Sequence, residues 1–109
     1  MRGALFLLVL MSACSSSQAD FEALKTARSI IAEWAMVARL EAEGRVGATY
    51  AGGLASDAKS RLVSARTTLS DARDPAVRLI DGLGDAPDAA HLMAAATTLG
   101  RLEEARENQ

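Results

Sequence analysis

Three kinds of side chain in this sequence belong to types that perform chemistry: one cysteine (Cys14), one histidine (His91) and three closely spaced aspartates (Asp81, Asp85 and Asp88). A metal centre needs several converging ligands, and a nucleophilic serine needs an imidazole base and a turn that presents it. The chain has a single histidine and no Gly-x-Ser-x-Gly motif. Because the aspartates lie where turns and helix starts recruit Asp, we interpret them as structural. The sequence therefore predicts no catalytic, cofactor-binding or metal site, no small-molecule substrate and no enzyme activity.

Cys14 follows a segment that is organised like a secretion signal. A basic start at Arg2 precedes an unbroken apolar run over residues 4–11, and two small residues stand directly before the cysteine. As a helix, the ten or so apolar residues of this segment rise only about 15 Å, about half of the hydrocarbon layer of a bilayer, so the segment is too short to span one. We expect residues 1–13 to be a signal peptide that is removed. The alternatives are an ordinary cleavable signal with an incidental cysteine and a wrongly chosen start codon.

The residues that end this segment, Leu10-Met11-Ser12-Ala13-Cys14, resemble the lipobox of bacterial lipoproteins. The resemblance implies that the sulfur of Cys14 receives a diacylglyceryl group, and that acyl chains such as palmitate attach the mature protein to membrane lipid. Two or three chains anchor a protein stably, whereas one chain binds reversibly. Ser15 resembles the sorting signal of outer-membrane lipoproteins, so the expected location is the cell envelope, facing the periplasm. Residues 14–19 are then the lipidated cysteine and a short polar tether.

The rest of the chain has the periodicity of helices. Apolar residues recur at three- and four-residue steps over residues 20–43, 46–72, 75–83 and 88–106, and no stretch alternates for long enough to predict a strand. Much of the apolar content is alanine, so the core is thin. The sequence predicts a single all-α domain over residues 20–109, a small helical hairpin or bundle of three to four helices.

Local signals mark the expected helix ends. The expected N-caps are Ser17 or Asp20, then Asp74 before Pro75, then Asp88. The glycines expected just after a helix end are Gly44, in the left-handed conformation, and Gly82 or Gly84.

The second predicted helix has a narrow stripe of mostly small residues. The stripe consists of Tyr50, Leu54, Ala58, Leu62, Ala65, Leu69 and Ala72. Small side chains allow two helices to approach closely, so we expect this stripe to pack on the first helix as an antiparallel hairpin. Gly47, Gly52 and Gly53 weaken the first half of the helix by up to about 1 kcal/mol each relative to alanine.

Charge is distributed unevenly along the chain. The net charge is −2 over residues 20–43, +3 over residues 45–73 and −4 over residues 74–109. A chain with this balance is not a basic nucleic-acid binder. Two uses of the basic stretch are open: pairing with the flanking acidic helices, or contact with anionic lipid head groups through Arg45, Lys59, Arg61, Arg66 and Arg73.

Four large side chains are candidates for an interaction surface. Trp34 and Tyr50 lie on the predicted packing stripes, where core packing is the alternative to a binding role, whereas Met36 and Leu40 lie off the stripe of the first helix. The sequence favours a small membrane-anchored envelope lipoprotein that acts as a non-enzymatic helical interaction or structural module, with an envelope protein as its partner. The alternative is a small lipoprotein that binds or perturbs the lipid surface.

Overall fold

The computed structural model describes residues 2–69 and 71–108, with side chains from Gln18 onward within those ranges. The described residues form four helices and no strand, which confirms the all-α prediction. The helices are α1 (Arg2–Ala42), α2 (Ala48–Leu69), α3 (Pro75–Asp81) and α4 (Ala89–Glu107). In the described part of the chain, no helix has an apolar stretch of the length and hydropathy that a bilayer crossing requires.

Helix α1 begins much earlier than predicted. It runs without a break from Arg2 to Ala42, so the start expected at Asp20, and a cap by Ser17 or Asp20, are wrong. The reason is that residues 4–43 contain no glycine or proline, and helix propagation needs only one favourable residue at a time once a turn exists. The predicted acylation concerns the side chain of Cys14, which lies outside the described side chains, as do those of the other lipobox residues.

The C-terminal end of α1 is the one predicted. Gly44 has a φ of 72°, the left-handed conformation. Its N–H donates to the carbonyl oxygen of Glu41 at 2.9 Å, and the N–H of Arg45 donates to the carbonyl oxygen of Leu40 at 2.8 Å. These two bonds satisfy carbonyl groups that the end of the helix leaves free, and they turn the chain back toward α2.

The residues with which the start of α2 faces α1 differ from the predicted packing stripe. Its buried residues are Ala51, Ala58, Leu62, Ala65 and Leu69, so the placement of Tyr50 on the packing stripe is wrong. A step of seven residues turns a helix by about 700°, only about 20° short of two turns, whereas a step of eight overshoots by about 80°. Counted back from Ala58, Ala51 therefore lies on the buried face and Tyr50 lies off it.

Helix α2 also ends earlier than predicted. Its last residue is Leu69, and Ala72, expected on the packing stripe, is exposed in the following turn. The side chain of Asp71 accepts a hydrogen bond from the N–H of Arg73 at 2.9 Å. Such local side-chain bonds compete with the helical backbone bonds and stop the helix.

The caps of α3 and α4 confirm the predictions at Asp74 and Asp88. The side chain of Asp74 accepts from the N–H of Ala76 at 2.9 Å, with Pro75 as the first helical residue, and that of Asp88 accepts from the N–H of His91 at 2.8 Å. Each bond satisfies one backbone donor that the helix start leaves free.

The four helices form a bundle in which α1 and α3 lie on one diagonal. Helix α1 packs against both α2 and α4, and α3 contacts the same two helices. Ala23 of α1 and Ala65 of α2 line one cavity, and Ala38 of α1 and Ala51 of α2 line another, so α1 and α2 form the predicted antiparallel hairpin. The largest fully buried side chains, which make up the centre of the core, are Leu24, Ile30, Ile31, Leu69, Leu92 and Leu99.

Candidate functional site

The four residues predicted as an interaction surface have different environments. Trp34 is only 5% exposed and belongs to the hydrophobic core, as the core-packing alternative expected. Met36 and Tyr50 are 58% and 60% exposed, and Leu40 is half-buried. Met36 and Leu40 share one face of α1 because they are four residues apart. The structure thus leaves three of the four candidates accessible near the α1–α2 turn.

A groove lies beside Trp34 at this end of the bundle, and we call it the Trp34 groove. It has a volume of about 640 Å³. Its lining from α1 is Trp34, Ala38, Glu41 and Ala42; from α2 it is Ala48, Ala51, Gly52, Ala55, Ser56 and Lys59; and residues 85–89 complete it.

The groove exists because α3 is short. Helix α2 has 22 residues and α4 has 19, lengths of about 33 and 28 Å, whereas the 7 residues of α3 extend only about 10 Å. Helix α3 lies beside the C-terminal halves of its neighbours, since Asp81 binds Arg66 of α2 and Asp74 binds Arg106 of α4. Near Trp34 only the connection 82–88 occupies the fourth corner of the bundle.

The rim of the Trp34 groove is acidic. Glu41, Asp85 and Asp88 stand on it with one cation, Lys59, so its net charge is −2. A hydrogen bond from the backbone N–H of His91, together with one from its side chain, lowers the pKa of Asp88 below the ordinary value. The three aspartates that the sequence analysis interprets as structural have separate roles. Asp88 caps α4, Asp81 binds Arg66, and Asp85 is exposed on the rim.

Gly52 is the lining residue whose role the sequence did not indicate. A Cβ atom built on it would meet no other atom within 4 Å, although the residue is in the interior of α2. Close packing inside this chain therefore does not explain the glycine. A glycine in a helix interior lowers helix stability by about 1 kcal/mol relative to alanine. This unfavourable residue choice was the one sign in the sequence that Gly52 has a role.

Two further large apolar side chains are exposed, Met93 of α4 and Val63 of α2, and neither was predicted. Single exposed apolar residues are common on soluble domains. Met93 and Val63 were missed because both lie off the stripes that the sequence pattern identifies.

Ion pairs join the helices away from the groove. Arg28 of α1 donates to Glu103 of α4 at 2.5 Å, and Glu103 is 8% exposed. Arg66 of α2 donates two hydrogen bonds to Asp81 of α3, at 2.5 and 2.9 Å. These bonds lower the pKa of Asp81 and raise that of Arg66. The predicted pairing of the basic stretch with an acidic helix therefore occurs at Arg66. The Arg28–Glu103 pair instead joins α1 and α4, which lie in segments that are both acidic overall.

The polar groups of the described residues give no second site. Every buried side-chain nitrogen or oxygen there has a hydrogen-bond partner. Over the same residues, no three His, Cys, Asp or Glu side chains converge as metal ligands, and His91 is an exposed residue bonded to Asp88. The Trp34 groove is thus the candidate functional site.

A scan of protein-family models and searches of curated proteins and solved structures found no match to this chain.

Proposed function

We propose that this chain is a lipid-anchored, non-enzymatic interaction module of the bacterial envelope, which binds a partner protein in the Trp34 groove. The observation that carries the binding role is the open corner beside Trp34, whose walls on α1 and α2 consist largely of small apolar side chains. The anchoring role rests on the likeness of residues 10–14 to a lipobox.

The arrangement of anchor and groove along one helix supports the proposal. Cys14 and Trp34 both lie in α1, twenty residues apart, which corresponds to about 30 Å along the helix axis. An acyl group on Cys14 holds one end of α1 at the lipid surface, and the groove faces the space beyond. Attachment of module and partner to the same membrane raises the effective concentration of each for the other, so that a modest groove is sufficient.

The alternative, binding of the lipid surface by an opened α2, has weaker support. Helix α2 is continuous through Gly52 and Gly53. Arg66 of the basic stretch already binds Asp81, and Arg61 lies 3.9 Å from Asp57 of its own helix. Arg45 also lies 3.8 Å from Glu43, so three of the five basic residues already pair with carboxylates of this chain and fewer cations are left for lipid.

The anchoring is tested by replacing Cys14 with serine and separating the membranes from the soluble fraction of the cells. We expect the wild-type chain in the membranes with a mass increased by the acyl groups, and the variant without that increase. An unchanged mass for the wild-type chain, or equal membrane retention of both chains, contradicts the anchoring.

Partner binding is tested by photo-crosslinking in the same cells. A crosslinking residue at Ser56 lies in the groove, and one at Thr97 lies on α4 outside it. We expect one discrete adduct from position 56 that position 97 does not form. Equal adducts from both positions, or none from position 56, contradict binding in the groove.

A further inference from the structure

The Trp34 groove has the form of a missing helix. Its lining on α2 runs from Ala48 to Lys59, twelve residues or about 18 Å, which is a little over three helical turns. It lies in the corner of the bundle that α3 is too short to fill. We infer that the groove binds a cationic amphipathic helix of the partner protein, which completes the fourth corner of the bundle. This inference rests on the proposed function and adds the chemistry of the partner.

The small side chains of the lining favour a helix over other occupants. Ala48, Ala51, Gly52 and Ala55 follow one another on the α2 wall. Helix axes lie about 8 Å apart when small residues occupy the contact, compared with about 10 Å for larger ones. A partner helix therefore places its large apolar residues over Trp34 and its backbone close to this wall.

Gly52 is the residue that makes the close approach available. An added Cβ meets nothing within the chain, so alanine at this position satisfies the fold as well as glycine and stabilises the helix. The space that such a Cβ enters belongs to the groove. A partner backbone can therefore approach α2 more closely at Gly52 than at a residue with a side chain.

The charge of the rim determines the sign of the partner. The carboxylates Glu41, Asp85 and Asp88 outnumber the single cation Lys59 in the lining, and the hydrogen bonds from His91 lower the pKa of Asp88. A helix with lysine or arginine beside its apolar stripe places these cations against the three carboxylates. An acidic helix places like charges there, which is unfavourable, so the rim discriminates between the two.

The test uses an 18-residue amphipathic peptide of leucine, alanine and lysine that carries a dansyl group, and a second peptide in which glutamate replaces lysine. Binding of each peptide to the full-length chain in lipid-free buffer is followed by energy transfer from Trp34, the only tryptophan of the chain, to dansyl. We expect saturable transfer with the cationic peptide, at least about tenfold weaker binding of the acidic one, and weakening of the former at high salt.

Two glycine variants supply the matched control. Gly52 and Gly53 are adjacent in α2 and both have open space around them, but only Gly52 lines the groove. We expect Gly52→Leu to weaken binding of the cationic peptide at least about tenfold and Gly53→Leu to leave it within about twofold. Circular dichroism confirms that both variants remain helical, and Gly52→Ala replaces Gly52→Leu if the latter does not fold.

The possible results distinguish a cationic partner helix from other occupants of the groove. Equal binding of the two peptides, equal loss in the two variants, or no transfer at all overturns the inference. A dimer of the chain that Gly52→Leu dissociates also overturns it, because the occupant is then a second copy. Failure of the Cys14 test contradicts the anchoring alone, since the peptide titration does not depend on acylation.

Discussion

Replacement of Gly53 by alanine is expected to stabilise the protein. Gly53 lies in the interior of α2, and an added Cβ meets no atom within 4 Å, so the substitution introduces no clash. The gain is then the difference in helix propensity, about 0.8–1 kcal/mol in the free energy of unfolding. For a domain of this size, such a gain raises the midpoint of thermal unfolding by about 4–8 °C.

Gly44→Ala is the control with the opposite sign. Gly44 also has open space around it, but its φ of 72° lies in the left-handed region, where a side chain costs about 1–2 kcal/mol. The two variants add the same methyl group to two exposed glycines, so a general effect of added apolar surface cancels between them. Both are measured by thermal and urea unfolding of the full-length chain in a non-ionic detergent, followed by far-UV circular dichroism.

The reasoning is refuted if Gly53→Ala leaves the unfolding midpoint unchanged or lowers it while Gly44→Ala destabilises. An unchanged midpoint means that the first half of α2 is not part of the cooperative fold. The α2 wall of the Trp34 groove is then not fixed, and the groove loses its basis as a binding site.

Three further predictions concern the contacts between helices. Arg28→Met leaves the carboxylate of Glu103, which is 8% exposed, without its cation. We expect the free energy of unfolding to fall by about 1–2 kcal/mol, a moderate loss because the side chain of Arg28 is 40% exposed. In a double-mutant cycle, adding Glu103→Met is expected to recover most of this loss. Leu99→Ala removes a fully buried side chain and is expected to cost about 2–5 kcal/mol in urea unfolding, whereas a cost below 1 kcal/mol, about the value of a surface change, contradicts the core assignment. The hydrogen bonds from Arg66 lower the pKa of Asp81 below its ordinary value of 3.8, so this pair stabilises the fold above that pH and its contribution disappears as the pH falls through the lowered pKa. Asp81→Asn is expected to reduce the slope of the free energy of unfolding against pH in this acidic range. An unchanged slope refutes the role of the pair.

The features predicted correctly from the sequence depend on a few neighbouring residues. Gly44 ends α1, Asp74 caps α3 and Asp88 caps α4 because each of these residues acts on backbone groups within three or four positions of itself. The all-α fold follows from the same kind of local information, since helical periodicity is visible within a single stretch.

The features that were missed depend on longer distances. The start of α1 was placed at Asp20 because a cap residue suggested a boundary, although no breaker residue separates it from the preceding apolar run. Tyr50 was assigned to the buried face because steps of four residues look regular in sequence but drift by about 40° each around a helix.

The Trp34 groove was not predicted for a related reason. It arises from the difference in length between α3 and its neighbours, and a pattern within one helix does not contain that difference. Trp34 itself was named as a candidate, but the role of Gly52 becomes visible only when the space around it is known.

The unbroken course of α1 from Arg2 to Ala42 has a consequence for orientation. If Cys14 carries the anchor, a helical connection transmits rotation as well as distance, unlike a flexible leash. One residue inserted between Cys14 and Asp20 turns everything beyond it by about 100° around the axis of α1 and moves it by only about 1.5 Å along that axis. The direction in which the module faces its neighbours is thus encoded in the residue count of this short segment.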